Sequence, residues 1–381
     1  MRNSTRLSLL VLVVLLGVAL VLSGCGKKEL DEIRIGVIAP QTGPVAAYGE
    51  GARDGIMLAF DKINAAGGID GKQIKYIVED NKGDQAETTN VVNKLISKDK
   101  VVAIIGPVIS GTSNVAAPIC NKEKIPMITP TGTAVEITKA GEYISRVCFL
   151  DSYQGSVMAK FAVENLEAKT AAILYDVASD YSIGMKDVFA EVFAENGGKI
   201  IETVSYTSGD ADFSAQLTKL KAANPDVIYL PAYYNDDSLV LRQAQGLGIT
   251  ATFLGGDGWD AQELIDSAGT AAEGCYFTTH YSSSDPSPIV QNFLKDYQEK
   301  YNRFPIVFAP LGYDAALLLA DAIDRADSLD SEKIKDAINS TKDFPGVTGT
   351  LSLDENGDPI KEVAIVTVKD GEFELVTKMR P

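Results

Sequence analysis

One histidine, one tryptophan and four cysteines are all that a chain of 381 residues provides, and the scarcity narrows its chemistry. With His280 the only imidazole, no histidine pair can hold a metal, and a histidine-based triad or proton shuttle has a single candidate. A solitary histidine is more often structural, and His280 is expected to be so. The cysteines lie at 25, 120, 148 and 275 with no Cys-x-x-Cys spacing. Setting Cys25 aside leaves an odd number, so neither a disulfide framework nor a zinc site is indicated. Apolar neighbours mark Cys120, Cys148 and Cys275 as small buried side chains.

Catalytic and phosphate-binding motifs are missing too. Ser110 has Val108 where a nucleophile elbow requires glycine. Gly67-Gly-Ile-Asp-Gly-Lys72 has Ala66 at the first glycine position of a phosphate loop and Gln73 where Ser or Thr belongs, so it reads as a turn. Gly36–Pro44 lacks the glycine spacing of a dinucleotide site. No acid/base pair can be singled out among 52 acidic residues. Basic residues number only 35, and the net charge of −17 repels nucleic acid and anionic lipid. No enzyme activity, cofactor, metal or nucleic-acid partner is expected.

The one long apolar run stands at the start. Arg2 and Arg6 precede Leu7–Leu22, and the run ends in Leu22-Ser-Gly-Cys25, which is the layout of a secretory signal over residues 1–24. It is shorter than the roughly 20 apolar residues that span a bilayer. Leu-Ser-Gly-Cys resembles the lipobox of bacterial lipoproteins, which implies lipidation of Cys25, a tether over residues 25–32 and a body outside the cytoplasmic membrane. On that oxidising side one disulfide among the other cysteines stays open.

Even without its first 24 residues the chain exceeds the about 250 to 300 residues that one core supports. From Ile33 onward, β-rich runs alternate with helical periods: strands Ile33–Ala39, Ile74–Glu79, Val101–Ile105 and Met127–Thr129 with helices Tyr48–Ala66, Gln85–Ser97 and Gly111–Lys124. A second set follows, with strands Ala171–Tyr175, Ile200–Tyr206, Val227–Leu230 and Thr252–Leu254 separated by helices Ile183–Glu195, Phe213–Ala223 and Ser238–Leu247, after a leading helix Gln154–Asn165. The expected fold class is therefore α/β, with two doubly wound lobes facing each other as a clam-shell and a ligand cleft at the C-terminal ends of both sheets.

Later helices (Ile289–Lys300, Pro310–Ala326, Glu332–Ile338) and strands (Gly349–Leu353, Val363–Val368, Phe373–Lys378) complete those lobes. The N-terminal lobe is expected to hold 33–150 plus about 280–350, and the C-terminal lobe 151–279 plus about 351–381. Crossings near Phe149–Tyr153, Phe277–Tyr281 and Leu351–Asp354 would make a multi-strand hinge.

Two loops at strand ends carry polar groups suited to an anion. Gly106-Pro-Val-Ile-Ser-Gly-Thr-Ser-Asn114 places Ser110 at a helix start, and Thr129-Pro-Thr-Gly-Thr133 precedes another short helix. Free N–H groups and hydroxyls there suit a single carboxylate, although Ser110 and Thr133 could simply cap their helices.

Gly43-Pro-Val-Ala-Ala-Tyr-Gly49, Asn64-Ala-Ala-Gly-Gly-Ile-Asp-Gly-Lys72, Pro126-Met-Ile-Thr-Pro-Thr-Gly-Thr133, Asp212-Phe-Ser214, Asn224-Pro-Asp226, Arg242-Gln-Ala244 and Tyr313-Asp-Ala315 extend these observations along the chain. In order and spacing they resemble the branched-chain amino acid (Leu/Ile/Val) binding proteins of ABC importers, which are type I periplasmic binding proteins. The resemblance implies that Ser110 and the Thr131–Thr133 segment hold a ligand α-carboxylate. It implies that Tyr48, Tyr181 and Tyr233 line the pocket. The ammonium partner falls on Asp257 in Gly255-Gly-Asp-Gly258, where the family's loop carries Glu, one methylene longer. A family cysteine is replaced by Ile109, so the family's disulfide is not carried over.

With donors on one lobe and Asp257 on the other, both ends of a zwitterion are satisfied only on closure. Val108, Ile109 and Tyr48 would offer apolar walls to an aliphatic side chain. Trp259 would fill part of the pocket or stack on a flat ligand, or be an ordinary core or surface aromatic. The implied protein is a monomeric, lipid-anchored, extracytoplasmic component that delivers a small amino acid to ABC permease and ATPase subunits. The alternatives are a sensory binding protein and an importer component for an amide, aromatic acid or urea-like solute; a secreted amidase is a third class.

Overall fold

Strands buried on both faces read as continuous apolar runs, and β1 (Glu32–Ala39) is buried from Ile35 to Ala39. The computed structural model describes residues 32–380; the signal segment and Cys25 lie outside the described residues. From β1 the chain runs through α1 (Ala46–Ala65), β2 (Gln73–Asp80), α2 (Gln85–Lys94), β3 (Ala103–Ile105), α3 (Ser110–Lys122), β4 (Met127–Thr129) and β5 (Ile144–Arg146). These five strands form a parallel sheet in the order β2-β1-β3-β4-β5. The Asp84 carboxylate caps α2 by accepting from Glu87 N at 2.8 Å.

The plan repeats in α4 (Asp151–Glu164), β6 (Thr170–Asp176), α5 (Asp180–Glu195), β7 (Lys199–Tyr206), α6 (Ser214–Ala223), β8 (Val227–Tyr229), α7 (Tyr234–Gly246), β9 (Thr252–Gly255), α8 (Gln262–Ala268) and β10 (Tyr276–Thr279). Its parallel block β7-β6-β8-β9-β10 has the order of the first sheet. The chain then gives α9 (Pro288–Tyr301), α10 (Phe308–Ala326), α11 (Ser331–Asn339), the small hairpin β11 (Phe344–Gly346) and β12 (Gly349–Leu351), and β13 (Val363–Lys369) and β14 (Glu372–Met379). Phe293, Tyr297, Leu311, Leu318 and Ile334 of α9–α11 share a core with Ile35, Ala52 and Phe60 beside the first sheet. β13 and β14 extend the second sheet in antiparallel fashion beyond β10.

The main chain therefore passes between the two layered units at residues 147–150, 280–287 and 352–362. These segments carry buried charge. Arg146, fully buried, donates from Nε to Asp358 Oδ1 at 2.6 Å, and from its two terminal nitrogens to Gly132 O, Ala134 O and Thr138 Oγ1 at 2.8, 3.0 and 3.1 Å. Lys361 donates to Val147 O and Thr348 Oγ1, and Thr348 Oγ1 donates to Asp314 at 2.6 Å. Burial pulls the Lys361 ammonium down to about 8.

In both sheets the chain reverses direction next to the first strand, between β1 and β3 and between β6 and β8. The loops on either side of each reversal diverge and leave a crevice at the C-terminal strand ends, which is where open α/β sheets bind ligands.

Candidate functional site

The two crevices face each other across one small cavity. Val108, Ile109 and Ser110 come to it from the loop after β3, Thr131 and Thr133 from after β4, Tyr181 from α5, Tyr233 from after β8, Asp257 and Gly258 from after β9, and Phe308 from the start of α10. Eight of the expected residues are thus gathered from distant parts of the chain. A larger open groove runs past Tyr281, Val347 and Lys361, but its rim cations are already paired, Lys378 with Asp285 and Arg380 with Glu362.

On the first-sheet side Ser110 opens α3, preceded by Ile109 in an extended conformation (φ −105°, ψ 152°). The first turn of a 13-residue helix leaves its N–H groups without intrahelical acceptors, a ready site for one carboxylate. Ser110 Oγ accepts from Ala134 N at 3.2 Å and so ties α3 to the loop after β4. Thr129 Oγ1 donates to Pro107 O at 2.8 Å and accepts from Gly132 N at 2.9 Å. A Cβ on Gly132 would lie 2.7 Å from Thr129 Oγ1 and 2.8 Å from Ser113 Oγ, so only glycine lets the two loops approach this closely. Arg146 grips the carbonyls of Gly132 and Ala134 from behind.

Acid dominates the other side. Asp257 Oδ1 accepts from Gln154 Nε2 and Tyr181 Oη, both at 3.0 Å, and Oδ2 meets His280 Nε2 at 2.9 Å. A carboxylate only accepts, so Nε2 carries the proton and Nδ1 is a buried acceptor without a partner. Burial holds His280 below its ordinary value despite the neighbouring Asp257, so the ring is neutral at pH 7. Gln154 Nε2 also donates to Asp151 Oδ1 at 2.9 Å, while its Oε1 accepts from Asp257 N and Thr278 Oγ1 at 3.1 and 2.7 Å. Asp151 is fully buried with Oδ2 unpartnered; burial, reinforced by the charge of Asp257, pushes its carboxyl up to about 8. The acids have neutral neighbours and no ion-paired ammonium or guanidinium among the described residues, which is the environment of a site built for a cation.

An apolar wall completes the cavity beside the two polar groups, which meet where Asp151 N donates to Thr133 O at 3.0 Å. Val108 and Phe308 are buried, and the rings of Tyr181 and Tyr233 stack at 5.0 Å.

Three residues take places that the sequence put elsewhere or left open. Tyr48 does not line the cavity: its ring stacks on Phe308 at 4.2 Å, behind the wall, and its hydroxyl is spent on Gly258 O and Tyr234 N. Trp259 ends a tight turn, Asp257–Trp259, that turns the indole away into the second-sheet core, where Nε1 donates to Leu230 O at 3.0 Å. It is absent from the cavity lining and sits as a core aromatic, one of the readings left open by the sequence. His280, read as an ordinary structural residue, directly contacts Asp257.

Asp151, Gln154 and Phe308 were not singled out from the sequence. A weak signal existed for the first two, because Asp151-Ser-Tyr-Gln154 follows the apolar run Val147–Leu150 and resembles a helix-start box whose members could have been read as more than caps. Cys120, Cys148 and Cys275 are free and buried. Among the described residues no helix is long and apolar enough to cross a membrane, and no group of side chains could hold a metal ion.

The profile of a family described as "Periplasmic binding protein" matches residues 32–372. A leucine-, isoleucine-, valine-, threonine- and alanine-binding protein of Pseudomonas aeruginosa is 35% identical over 331 residues, 86% of this chain and 87% of that protein. A crystal structure of the leucine-binding protein LivK from Thermotoga maritima is 41% identical with a TM-score of 0.88, over 92% of this chain and 99% of that one. The branched-chain amino acid transporter substrate-binding protein LivJ of Streptococcus pneumoniae, solved with isoleucine, is 38% identical with a TM-score of 0.88, over 92% of this chain and all 100% of that one.

Proposed function

The chain belongs to the periplasmic binding protein family, and from that premise we propose that it captures a small aliphatic α-amino acid, branched-chain most of all, for delivery to an ABC importer. The single observation that carries the reading is the polarity of the cavity. Ser110, Thr131 and Thr133 with the open first turn of α3 stand on one side, and Asp257 backed by Asp151 stands on the other. A zwitterion presents a carboxylate and an ammonium on one carbon and matches both. In this reading Tyr181 holds Asp257 in place and donates no contact of its own to ligand charge, while Val108, Ile109, Phe308 and Tyr233 receive the side chain.

The moving units in this proposal are 33–150 with about 280–350, and 151–279 with about 351–381, hinged where the chain passes between them. The carboxylate site lies on one unit and Asp257 on the other, so ligand binding and closure are a single event. The secretory layout ending in Cys25 supports a lipid-anchored protein outside the cytoplasmic membrane. It acts as a monomer that presents its closed form to permease and ATPase subunits.

Calorimetric titration with L-leucine, 4-methylpentanoate and 3-methylbutylamine tests the reading. Leucine must bind and both truncated analogues, each lacking one charged group, must fail. Equal binding of 4-methylpentanoate would remove the ammonium site and with it the amino-acid assignment.

A further inference from the structure

This inference rests on the reading that the lobes close over a ligand, and it concerns what holds them closed. Tyr48 was expected to touch the ligand, yet its hydroxyl donates to Gly258 O and accepts from Tyr234 N at 3.1 Å. Both partners belong to the second-sheet unit, while Tyr48 lies on α1 beside the first sheet. The contact is reciprocated, for Tyr234 Oη donates to Pro44 O at 2.9 Å, just ahead of α1. Nearby, Asn114 Nδ2 on α3 donates to Asp180 Oδ2 on α5 at 2.8 Å. The Tyr48 ring is fully buried, face to face with Phe308 and edge-on to Tyr233 and Tyr234 at 5.8 and 5.0 Å. Every one of these bonds joins protein to protein across the cleft.

We propose that Tyr48, Tyr234 and the Asn114–Asp180 pair form a latch that sets how long the lobes stay shut, and hence how slowly any ligand leaves. Opening the cleft separates all these groups at once. The Tyr48 hydroxyl matters most because it acts as donor and acceptor together, so its loss leaves the buried Gly258 O and the N–H at the start of α7 unpaired. The side chains of Tyr48, Tyr234, Asn114 and Asp180 do not line the cavity; of the latch partners only Gly258 does, and there the bonded group is main chain. Removing one therefore shifts the open–closed equilibrium by the same factor for every ligand, since apparent affinity scales with the population able to bind. A ligand-wall residue would behave differently and change one ligand more than another.

The test compares the full mature protein with Tyr48→Phe and Asn114→Ala. Affinities for L-leucine, L-isoleucine and L-valine are measured by calorimetry, release rates by stopped-flow fluorescence, and the radius of gyration by small-angle scattering with no amino acid added. Tyr48→Phe keeps the ring on Phe308 and is expected to raise the leucine Kd about tenfold, mostly through faster release, as loss of one doubly used hydrogen bond implies. Asn114→Ala, at the exposed edge, should cost about twofold. The ratios among the three amino acids should stay as in the wild type.

Unchanged release in both variants overturns the latch, and so does a change in the preference order with Tyr48→Phe, which would return Tyr48 to the ligand wall. Should the wild type bind none of the three amino acids, the functional reading fails by itself. The latch is then judged by scattering: a larger radius for Tyr48→Phe than for the wild type supports it, and equal radii reject it.

Discussion

Asp151 and Asp257 accept hydrogen bonds from the same amide of Gln154, and this closeness decides how pH acts on the site. Burial and the charge of Asp257 lift Asp151 to about 8, far above an ordinary carboxylate. A ligand ammonium favours the ionised acid and draws that value down, so binding at neutral pH expels a proton. Affinity for leucine should therefore rise from pH 6 to about pH 8 and level off above it. Titrations in two buffers of different ionisation enthalpy will count the released proton; pH-independent affinity with no proton release refutes the coupling. The stability effect has the opposite sign. A folded-state value raised above the unfolded one gives stability that is full at acid pH and is lost as pH climbs through the window ending near 8. With no amino acid added, Asp151→Asn should thus melt higher than the wild type at pH 8 but not at pH 4, while binding leucine more weakly. At Asp257 the expectation is simpler. Asp257→Asn keeps groups for Gln154 and Tyr181 to bond but removes the charge, so leucine affinity should fall by about 100-fold or more while the melting temperature moves little; undiminished affinity would take Asp257 out of the site.

Elements set where these residues meet, and Arg146 at the end of β5 shows how. It clamps the carbonyls of Gly132 and Ala134, which frame Thr133, and is neutralised by Asp358 from the last crossing segment. Arg146→Met would strand a buried carboxylate and is expected to cost about 3–5 kcal/mol. The double variant Arg146→Met with Asp358→Leu should recover most of that stability and still bind leucine poorly, because the loop after β4 has lost its clamp. Urea denaturation with leucine titration separates the two effects, and full recovery of affinity in the double variant would show that the loop needs no clamp. β5 itself escaped sequence reading because three residues, Ile144-Ser-Arg146, are too few to show a period and end in a charge that reads as exposed. Longer strands and helices were legible within a few residues of their ends. α2 was expected to run to Ser97 but passes at Leu95 into a π turn closed by left-handed Lys100 (φ 56°). The site divides by the same logic. Ser110, Thr131 and Thr133 could be placed at the cavity because each follows an apolar strand directly, where topology puts ligands, while Asp257 was placed there by the family resemblance. Asp151 and Gln154 open α4 just after one crossing and His280 begins another; crossings were expected near Phe149–Tyr153 and Phe277–Tyr281, but nothing local in the sequence says which side chains there turn toward Asp257. For Trp259 the sequence left a pocket role and a core role open, and the tight turn after Asp257 sends the side chain into the core.

At the scale of the whole molecule, the proposed anchor has to work for a chain of net charge −17. A surface so acidic is repelled by anionic head groups, and no helix of the described residues can span a bilayer. In the proposed reading a lipid on Cys25, at the end of Leu22-Ser-Gly-Cys25, supplies the attachment. From Gly26 to Asp31 the chain can reach only about 20 Å at roughly 3.3–3.6 Å per residue before β1 begins, so the cleft would work close to the membrane surface. In cells, the wild type should stay with membranes through a high-salt wash and leave only in detergent, because screening releases a charge-held protein but not an acylated one. Cys25→Ser should abolish incorporation of labelled fatty acid and remove that detergent requirement. Purified from residue 26 onward, the protein should bind leucine with the affinity of the full mature form, since the tether ends before the first strand. Membrane retention of a Cys25→Ser protein whose signal segment has been cleaved would place the anchor elsewhere, and loss of leucine binding on removing Cys25 would mean that the tether is part of the binding machinery.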